Sequence, residues 1–259
     1  RKYGHALPTF VAQKEGIIES HLHTIRDKLR TLIPFDGYGA LFYRDFEYPQ
    51  GLRSAKHPVE VLYFRGDAGL LSAPAVSVVG ARKASKEGIL RAKKIAHLLV
   101  KKGYVVMSGL AEGIDAAAHH QAINSGGRTV AVIGTSLNES YPKSNTALQE
   151  QISRDFLLVS QVPLYLSSVR DYRQNRLFFP ERNKTMSALS SATVIVEASD
   201  TSGTLIQARA AVEQGRKLFI LKACFERGLT WPAKFLAKVA IKVSDIEEIF
   251  AQLPPGIPQ

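Results

Sequence analysis

From Pro58 onward, short apolar runs alternate with longer segments whose apolar residues recur at helical spacing. The runs are Val59–Phe64, Val76–Val79, Tyr104–Met107, Thr129–Ile133, Phe156–Val159, Thr193–Val196 and Lys217–Leu221. They are near-continuously apolar instead of alternating, as strands covered on both faces must be. The intervening segments predict helices. One is capped by Ser85, carries Ile89, Leu90, Ile95, Leu98 and Leu99 on its apolar side, and stops at Gly103. An Ala-rich helix runs to Asn124, another starts near Asn145, and two more cover 182–190 and 204–214. Strands alternating with helices in this way predict an α/β fold: a Rossmann-like parallel sheet with helices on both faces.

The flanks read differently. Ile17, Ile18, His21, Leu22, Ile25, Leu29 and Leu32 mark one amphipathic helix, and the punctuation between Gly37 and Pro49 predicts loop. The expected organisation is therefore a small, mainly helical N-terminal extension over 1–58, the Rossmann-like domain over 59–250, and a Pro-rich tail over 251–259. Within the domain's last part, Gly228 to Lys238 reads as irregular. Ala240–Val243 reads as a last strand, and Ser244 as the cap of a short acidic helix to Phe250.

Charge changes the picture more than hydrophobicity does. The chain of 259 residues carries 34 Lys+Arg against 23 Asp+Glu, a net +11. That excess suits a polyanion, and a phosphate backbone is the commonest large one. Cys224 is the only cysteine, which excludes an intrachain disulfide and a cysteine-cluster zinc site and fits a cytoplasmic location. No apolar run reaches the ~18 residues of a membrane span. The sequence begins Arg1-Lys2-Tyr3-Gly4 without an initiator Met, so it is expected to be part of a longer protein.

Candidate chemistry gathers where strands end. Gly80, Ser108-Gly109 and Gly134 close three of them, and in open parallel sheets ligands sit beyond those carboxyl ends. Gly80-Ala81-Arg82 sets a guanidinium after a strand, suited to a phosphate. Ser108-Gly109-x-x-x-Gly113 lacks the dinucleotide G-x-G-x-x-G spacing but lets backbone amides face an anion. Tyr141-Pro142-Lys143-x-Asn145 offers a ring, a cation and an amide in one loop. Arg170, Arg173 and Arg176 precede Phe178-Phe179, and Arg182, Asn183 and Lys184 follow. Cations beside rings are the makeup of a single-strand site. Ser202-Gly203-Thr204 forms a small-residue turn ahead of a helix. Asp115, His119 and His120 share a helix, but with no H-E-x-x-H and no cysteine partner they read as packing groups; neither a metal nor a cofactor is expected. Glu197, at the end of a strand, reads equally as a general base and as a partner for a ribose hydroxyl or nearby backbone. There is no G-x-S-x-G elbow, Walker A or kinase signature.

Taken in order, these motifs resemble the DprA/Smf (DNA-processing protein A) family. They are Gly80-Ala81-Arg82, Ser108–Asp115 with His119, Ala131–Gly134 with Tyr141-Pro142, Phe179–Lys184, Val196-Glu197-Ala198, and Ser202–Leu205 with Ala208 and Gly215-Arg216. The resemblance runs from Tyr48 to Phe219. It implies a non-enzymatic, cytoplasmic, dimeric protein that binds single-stranded DNA and assists loading of the RecA recombinase in transformation. By motif, Arg82, Lys143, Arg182 and Lys184 would hold phosphates. Gly109, Asn183, Ser202, Gly203 and Thr204 would shape the pocket, and Phe179 is a candidate stacking ring; Asn145, from the loop after the third strand, is a further candidate for binding nucleic acid. Lys184 stands where the family pattern has a second arginine. The rival is a nucleotide sensor, or a phosphoribohydrolase of the same superfamily fold with a G-T-x-x-E signature. Here Gly203-Thr204-Leu205-Ile206 is followed by Gln207, whose amide cannot take a proton as a carboxylate does.

Overall fold

The computed structural model describes residues 19–32, 37–56 and 58–257. Ile17, Ile18 and Pro258 lie outside these, as do the side chains of His21, Leu22 and Ile25. Among the described residues the strands are β1 (Tyr38–Phe42), β2 (Val61–Gly66), β3 (Ala75–Gly80), β4 (Val105–Ser108), β5 (Thr129–Ile133), β6 (Leu157–Ser160), β7 (Ala192–Glu197), β8 (Lys217–Leu221) and β9 (Ile241–Val243). They form one sheet in the order β1-β2-β6-β5-β4-β3-β7-β8-β9. From β6 to β9 every neighbouring pair is parallel. β1 and β2 add an antiparallel edge.

The helices are α1 (Glu19–Leu32), α2 (Gln50–Arg53), α3 (Lys86–Lys101), α4 (Ile114–Asn124), α5 (Thr146–Asp155), α6 (Leu164–Val169), α7 (Tyr172–Asn175), α8 (Phe178–Leu189), α9 (Thr204–Glu213), α10 (Lys222–Phe225), α11 (Trp231–Leu236) and α12 (Glu247–Phe250). Successive strand residues feed opposite cores, as the pleat demands. In β5, Val130 and Val132 join the core under α8, α9 and α11, whereas Ala131 and Ile133 pack beneath Leu148 and Ile152 of α5. Ile95 and Leu99 of α3 and Ala118 of α4 cover Val76, Val194 and Phe219. Each such large side chain contributes roughly 1.5–3 kcal/mol on burial. The Rossmann-like α/β expectation holds.

Several local expectations change. The segment read as loop after Gly37 carries β1, and the first expected strand lies antiparallel beside β6. An edge strand such as Tyr-Gly-Ala-Leu-Phe, with Phe42 exposed, buries too little to show an apolar run. Tyr48 and Leu52, ahead of residue 59, are buried in the core. The stretch read as irregular after Gly228 contains α11, whose Trp231 and Phe235 are buried. α8 starts at Phe178 instead of 182, with Pro180 in its first turn, where a missing N–H costs nothing. The tail is tied back: Tyr104 Oη donates to Pro254 O, and Ile257 N donates to Gly103 O at 3.1 Å.

Chain direction now fixes where a ligand belongs. β3, β4, β5 and β6 proceed one way across the sheet, and β7, β8 and β9 proceed the other way from β3. The switch point lies between β3 and β7, where loops diverge and leave a crevice.

Candidate nucleic-acid interface

A cleft of about 810 Å³ occupies that crevice, lined by the loop after β3, the turn after β7 and the start of α8. A bulge between Val79 and Gly80 shifts the register, and Ala81 N donates to Glu197 O at 2.7 Å, so the two strand ends stay bonded at the edge of the cleft. Glu197 does not stand free there. Its Oε2 accepts from Ser85 Oγ at 2.6 Å, its Oε1 accepts from Ser85 N at 3.2 Å, and Arg227 Nη1 lies 2.9 Å from Oε1. Ser85 Oγ in turn accepts from Gly88 N at 3.0 Å, so the carboxylate braces the N-cap of α3. Burial pushes the Glu197 carboxyl up, but the Ser85 and Arg227 hydrogen bonds outweigh it and hold it below the ordinary value. Of the readings open for Glu197, the structure displays the bond to nearby backbone, at Ser85 N.

The floor is built on Arg182. It is 6% exposed, and its Nη1 donates to Gly109 O and to Val132 O, the latter at 2.7 Å. A Cβ on residue 109 would stand 2.0 Å from that nitrogen, so any larger residue there would displace the guanidinium from its two carbonyls. Asp115 Oδ2 accepts from Gly109 N at 3.2 Å and from Ala111 N at 3.4 Å, holding the same turn from the other side. Burial raises the Asp115 carboxyl; the charge of Arg182 and the amides of Ala111, Gly109 and Gly80 oppose the rise without cancelling it. Burial likewise lowers the Arg182 pKa, Asp115 opposing and Arg82 adding to the effect. Gly113, at φ +76, lets the chain turn into α4 where a Cβ would meet Ala81 O at 2.4 Å. Asn145 is buried and spends its amide on Leu110 O at 2.9 Å, fixing the same loop.

The opposite wall joins α8 to α9. Asn183 Nδ2 donates to Gly203 O at 3.1 Å. Gln207 is 1% exposed, and one orientation of its amide satisfies both ends: the nitrogen donates to Asn183 O, and the oxygen accepts from Thr193 Oγ1 at 3.1 Å and Ser187 N at 3.2 Å. Asn183 O and Ser187 N are the pair an unbroken helix would join to each other, so Gln207 is inserted beside the α8 ladder. Ser202 Oγ donates to Thr204 Oγ1 at 2.9 Å, and Thr204 Oγ1 donates to Gly80 O at 3.2 Å. The N-terminus of α9 opens into the cleft here, favouring negative charge.

The mouth is aromatic and cationic. Tyr141 and Phe179 meet edge to face, centroids 5.5 Å apart, and Arg176 lies over Tyr172 at 5.8 Å. Asp115 is balanced by Arg182 and Glu197 by Arg227, which leaves Arg82, Lys83 and Arg176 as the excess charge lining the cleft. Of the residues singled out from sequence, Arg82, Phe179, Arg182, Asn183, Ser202, Gly203 and Thr204 meet here, and Gly109 stands beneath Arg182. Lys143 lines a neighbouring cavity instead. Lys184 turns to the other side of α8, where Nζ pairs with Glu181 Oε1 at 2.8 Å. Sequence reasoning missed Arg227, which follows β8 in a stretch with no motif, and Tyr172. His119 is fully buried, Nδ1 2.7 Å from Thr129 Oγ1, and burial first, then His120 and Arg182, lower its pKa to about 3 against the Ser108 backbone.

A family model described as DNA recombination-mediator protein A matches residues 39–254. The chain belongs to this family. It is similar to the DNA processing protein DprA of Streptococcus pneumoniae, 37% identical over 188 residues, covering 71% of this chain and 62% of that protein. The DprA of Bacillus subtilis is 32% identical over 210 residues, 80% of this chain and 69% of that protein. The chain thus spans roughly two thirds of the length of these relatives. The crystal structure of S. pneumoniae DprA superposes with a TM-score of 0.78 at 30% identity, covering 97% of this chain and 84% of that one. A Helicobacter pylori DprA structure, which concerns that protein's single-stranded DNA binding mode, gives 0.69 at 27%, covering 83% and 94%. The DprA-type fold is therefore shared along nearly the whole described chain. Among the described residues, no helix is long and apolar enough to cross a membrane.

Proposed function

We propose that the switch-point cleft holds single-stranded DNA. The observation that carries this is the combination at its mouth: the Tyr141–Phe179 ring pair beside the unbalanced cations Arg82, Lys83 and Arg176. Cations track phosphates while rings stack on unpaired bases, at ~1–3 kcal/mol per base. A duplex keeps its bases stacked on each other and offers none to the rings. Arg82 and Arg176 contact phosphates, Phe179 stacks, and Arg182, Gly109, Asn145, Asn183 and Thr204 hold the walls. The H. pylori relative, studied for single-stranded DNA binding, supports the same reading.

The protein acts here by binding, not by catalysis. Glu197 is engaged by Ser85 and Arg227, and Gln207 is a buried amide where the phosphoribohydrolase signature has a glutamate, which supports binding over hydrolysis. Action in the cytoplasm as a homodimer that assists the loading of RecA is the role that family membership suggests, and it completes the proposal. The test is polarisation of labelled oligo-dT over a salt series. Single strands should bind in preference to duplex, with affinity falling steeply as salt rises. Equal binding to duplex, or none at low salt, would remove the reading.

A further inference from the structure

Behind the Tyr141–Phe179 pair lies a second cavity of about 240 Å³. Tyr141, Tyr172, Arg176 and Phe179 line both it and the main cleft, so the two are neighbouring chambers that share a ring wall. Phe178 adds another ring on the far side, and its own face carries Arg170 at 5.5 Å. A space of this size between rings suits one flat heterocycle, and Lys143 and Arg176 line it as cations for the flanking phosphates.

Glu139, an exposed residue, also lines this chamber, with its carboxylate reachable from solvent. A carboxylate repels a strand of phosphates, so in a polyanion site it weakens binding unless a base engages it. Its Oε1 accepts from Ser136 Oγ at 3.1 Å and Ser167 Oγ at 3.0 Å, which holds the group in place. Oε2 has no hydrogen-bond partner among the described residues. A fixed, charged acceptor beside an aromatic slot matches N–H donors on a base edge, as carboxylates match the cytosine amine in duplex readout. Cytosine, adenine and guanine each carry an exocyclic amine. Thymine offers one imino N–H flanked by two carbonyl oxygens, which face the carboxylate unfavourably.

We infer that this chamber is a second nucleobase subsite, and that Glu139 makes it favour amine-bearing bases over thymine. The inference rests on the cleft being a single-strand site. The experiment compares labelled oligo-dC, oligo-dT and an oligomer of deoxyribosyl pyrimidin-2-one, which is cytosine without its amine, all of one length at pH 8. Oligo-dC should bind about tenfold tighter than oligo-dT, the scale of one hydrogen bond to a charged group, and the amine-less oligomer should fall to the dT level. Glu139→Gln keeps an oxygen for the two serines and replaces the free acceptor by an N–H donor, so the dC/dT ratio should invert. Equal binding of dC and dT, or an amine-less oligomer that binds like dC, overturns the subsite while leaving the cleft reading intact. The failure of every oligomer to bind overturns both. The ligand series needs no protein variant, so it decides the matter even where Glu139→Gln unfolds the chain.

Discussion

Replacing Arg182 by methionine separates a strut from a phosphate ligand. Methionine fills most of the same volume, so the cavity contribution is small. What is lost is the donor to Gly109 O and Val132 O and the positive charge facing Asp115. Two buried carbonyls lose their charged donor, at ~1–3 kcal/mol each, and Asp115 loses a nearby positive charge while the amides of Gly109 and Ala111 still hold it, so a loss of about 2–4 kcal/mol is expected at pH 7.5. The loss must also depend on pH. Burial already holds the Asp115 carboxyl above its ordinary value of 3.8, and without Arg182 it rises further. A carboxyl whose folded pKa lies above its unfolded one penalises the fold as pH rises between the two values. The difference between variant and wild type should therefore shrink as pH is lowered through the raised folded value. Urea unfolding of both proteins over a pH series measures this, and Asp115→Asn added to the variant should recover much of the loss, since removing both charges is far cheaper than removing one. A variant within about 1 kcal/mol of wild type, unaffected by pH, yet unable to bind DNA would refute the strut and restore Arg182 as a direct ligand.

Other outcomes follow from the same geometry. Arg82→Ala, at an exposed side chain of the cleft mouth, should leave stability within about 0.5 kcal/mol while lowering oligo-dT affinity and reducing the magnitude of its salt slope by about one. Lys184→Ala removes only an exposed pair with Glu181; binding by polarisation should change much less than in Arg82→Ala, and stability by ~0–1 kcal/mol. His119, its pKa lowered to about 3 from 6.5, is neutral in the fold, so stability is lost as pH falls below 6.5. That one ring should cost about 1.4 kcal/mol per pH unit down to its folded value. His119→Asn, which can donate to Thr129 in place of Nδ1, should flatten the slope in urea titrations between pH 7 and 5.

The central strands were legible because a parallel strand must be apolar along its whole length, and Val76–Val79 or Thr129–Ile133 cannot be mistaken for anything wetter. β1 was not legible, since a half-covered edge strand carries no such run. The cleft's location followed from Gly80 and Gly109, whose lack of a side chain is visible in sequence; the reason at Gly109, a guanidinium 2.0 Å from the missing Cβ, is not. Arg82 and Arg182 look alike as letters, each an arginine in a basic motif near a strand or helix end. One is exposed and the other buried, because Arg182 lies on the side of α8 facing β5 and Arg82 on a loop tip. Lys184 shows the same limit: a helix turns 100° per residue, so neighbours in a basic motif serve different faces.

The insertion of Gln207 beside the α8 ladder has a mechanical meaning. It ties α8 to α9 at Asn183 O and Ser187 N, and the Asn183–Gly203 bond ties them again at the cleft edge. Those two helices are therefore braced into one unit. The facing side, by contrast, is loop: the tip bearing Arg82 and the turn bearing Tyr141, both exposed. If the cleft widens around a ligand, the change is expected in the segments after β3 and β5, with the helix pair as the fixed wall.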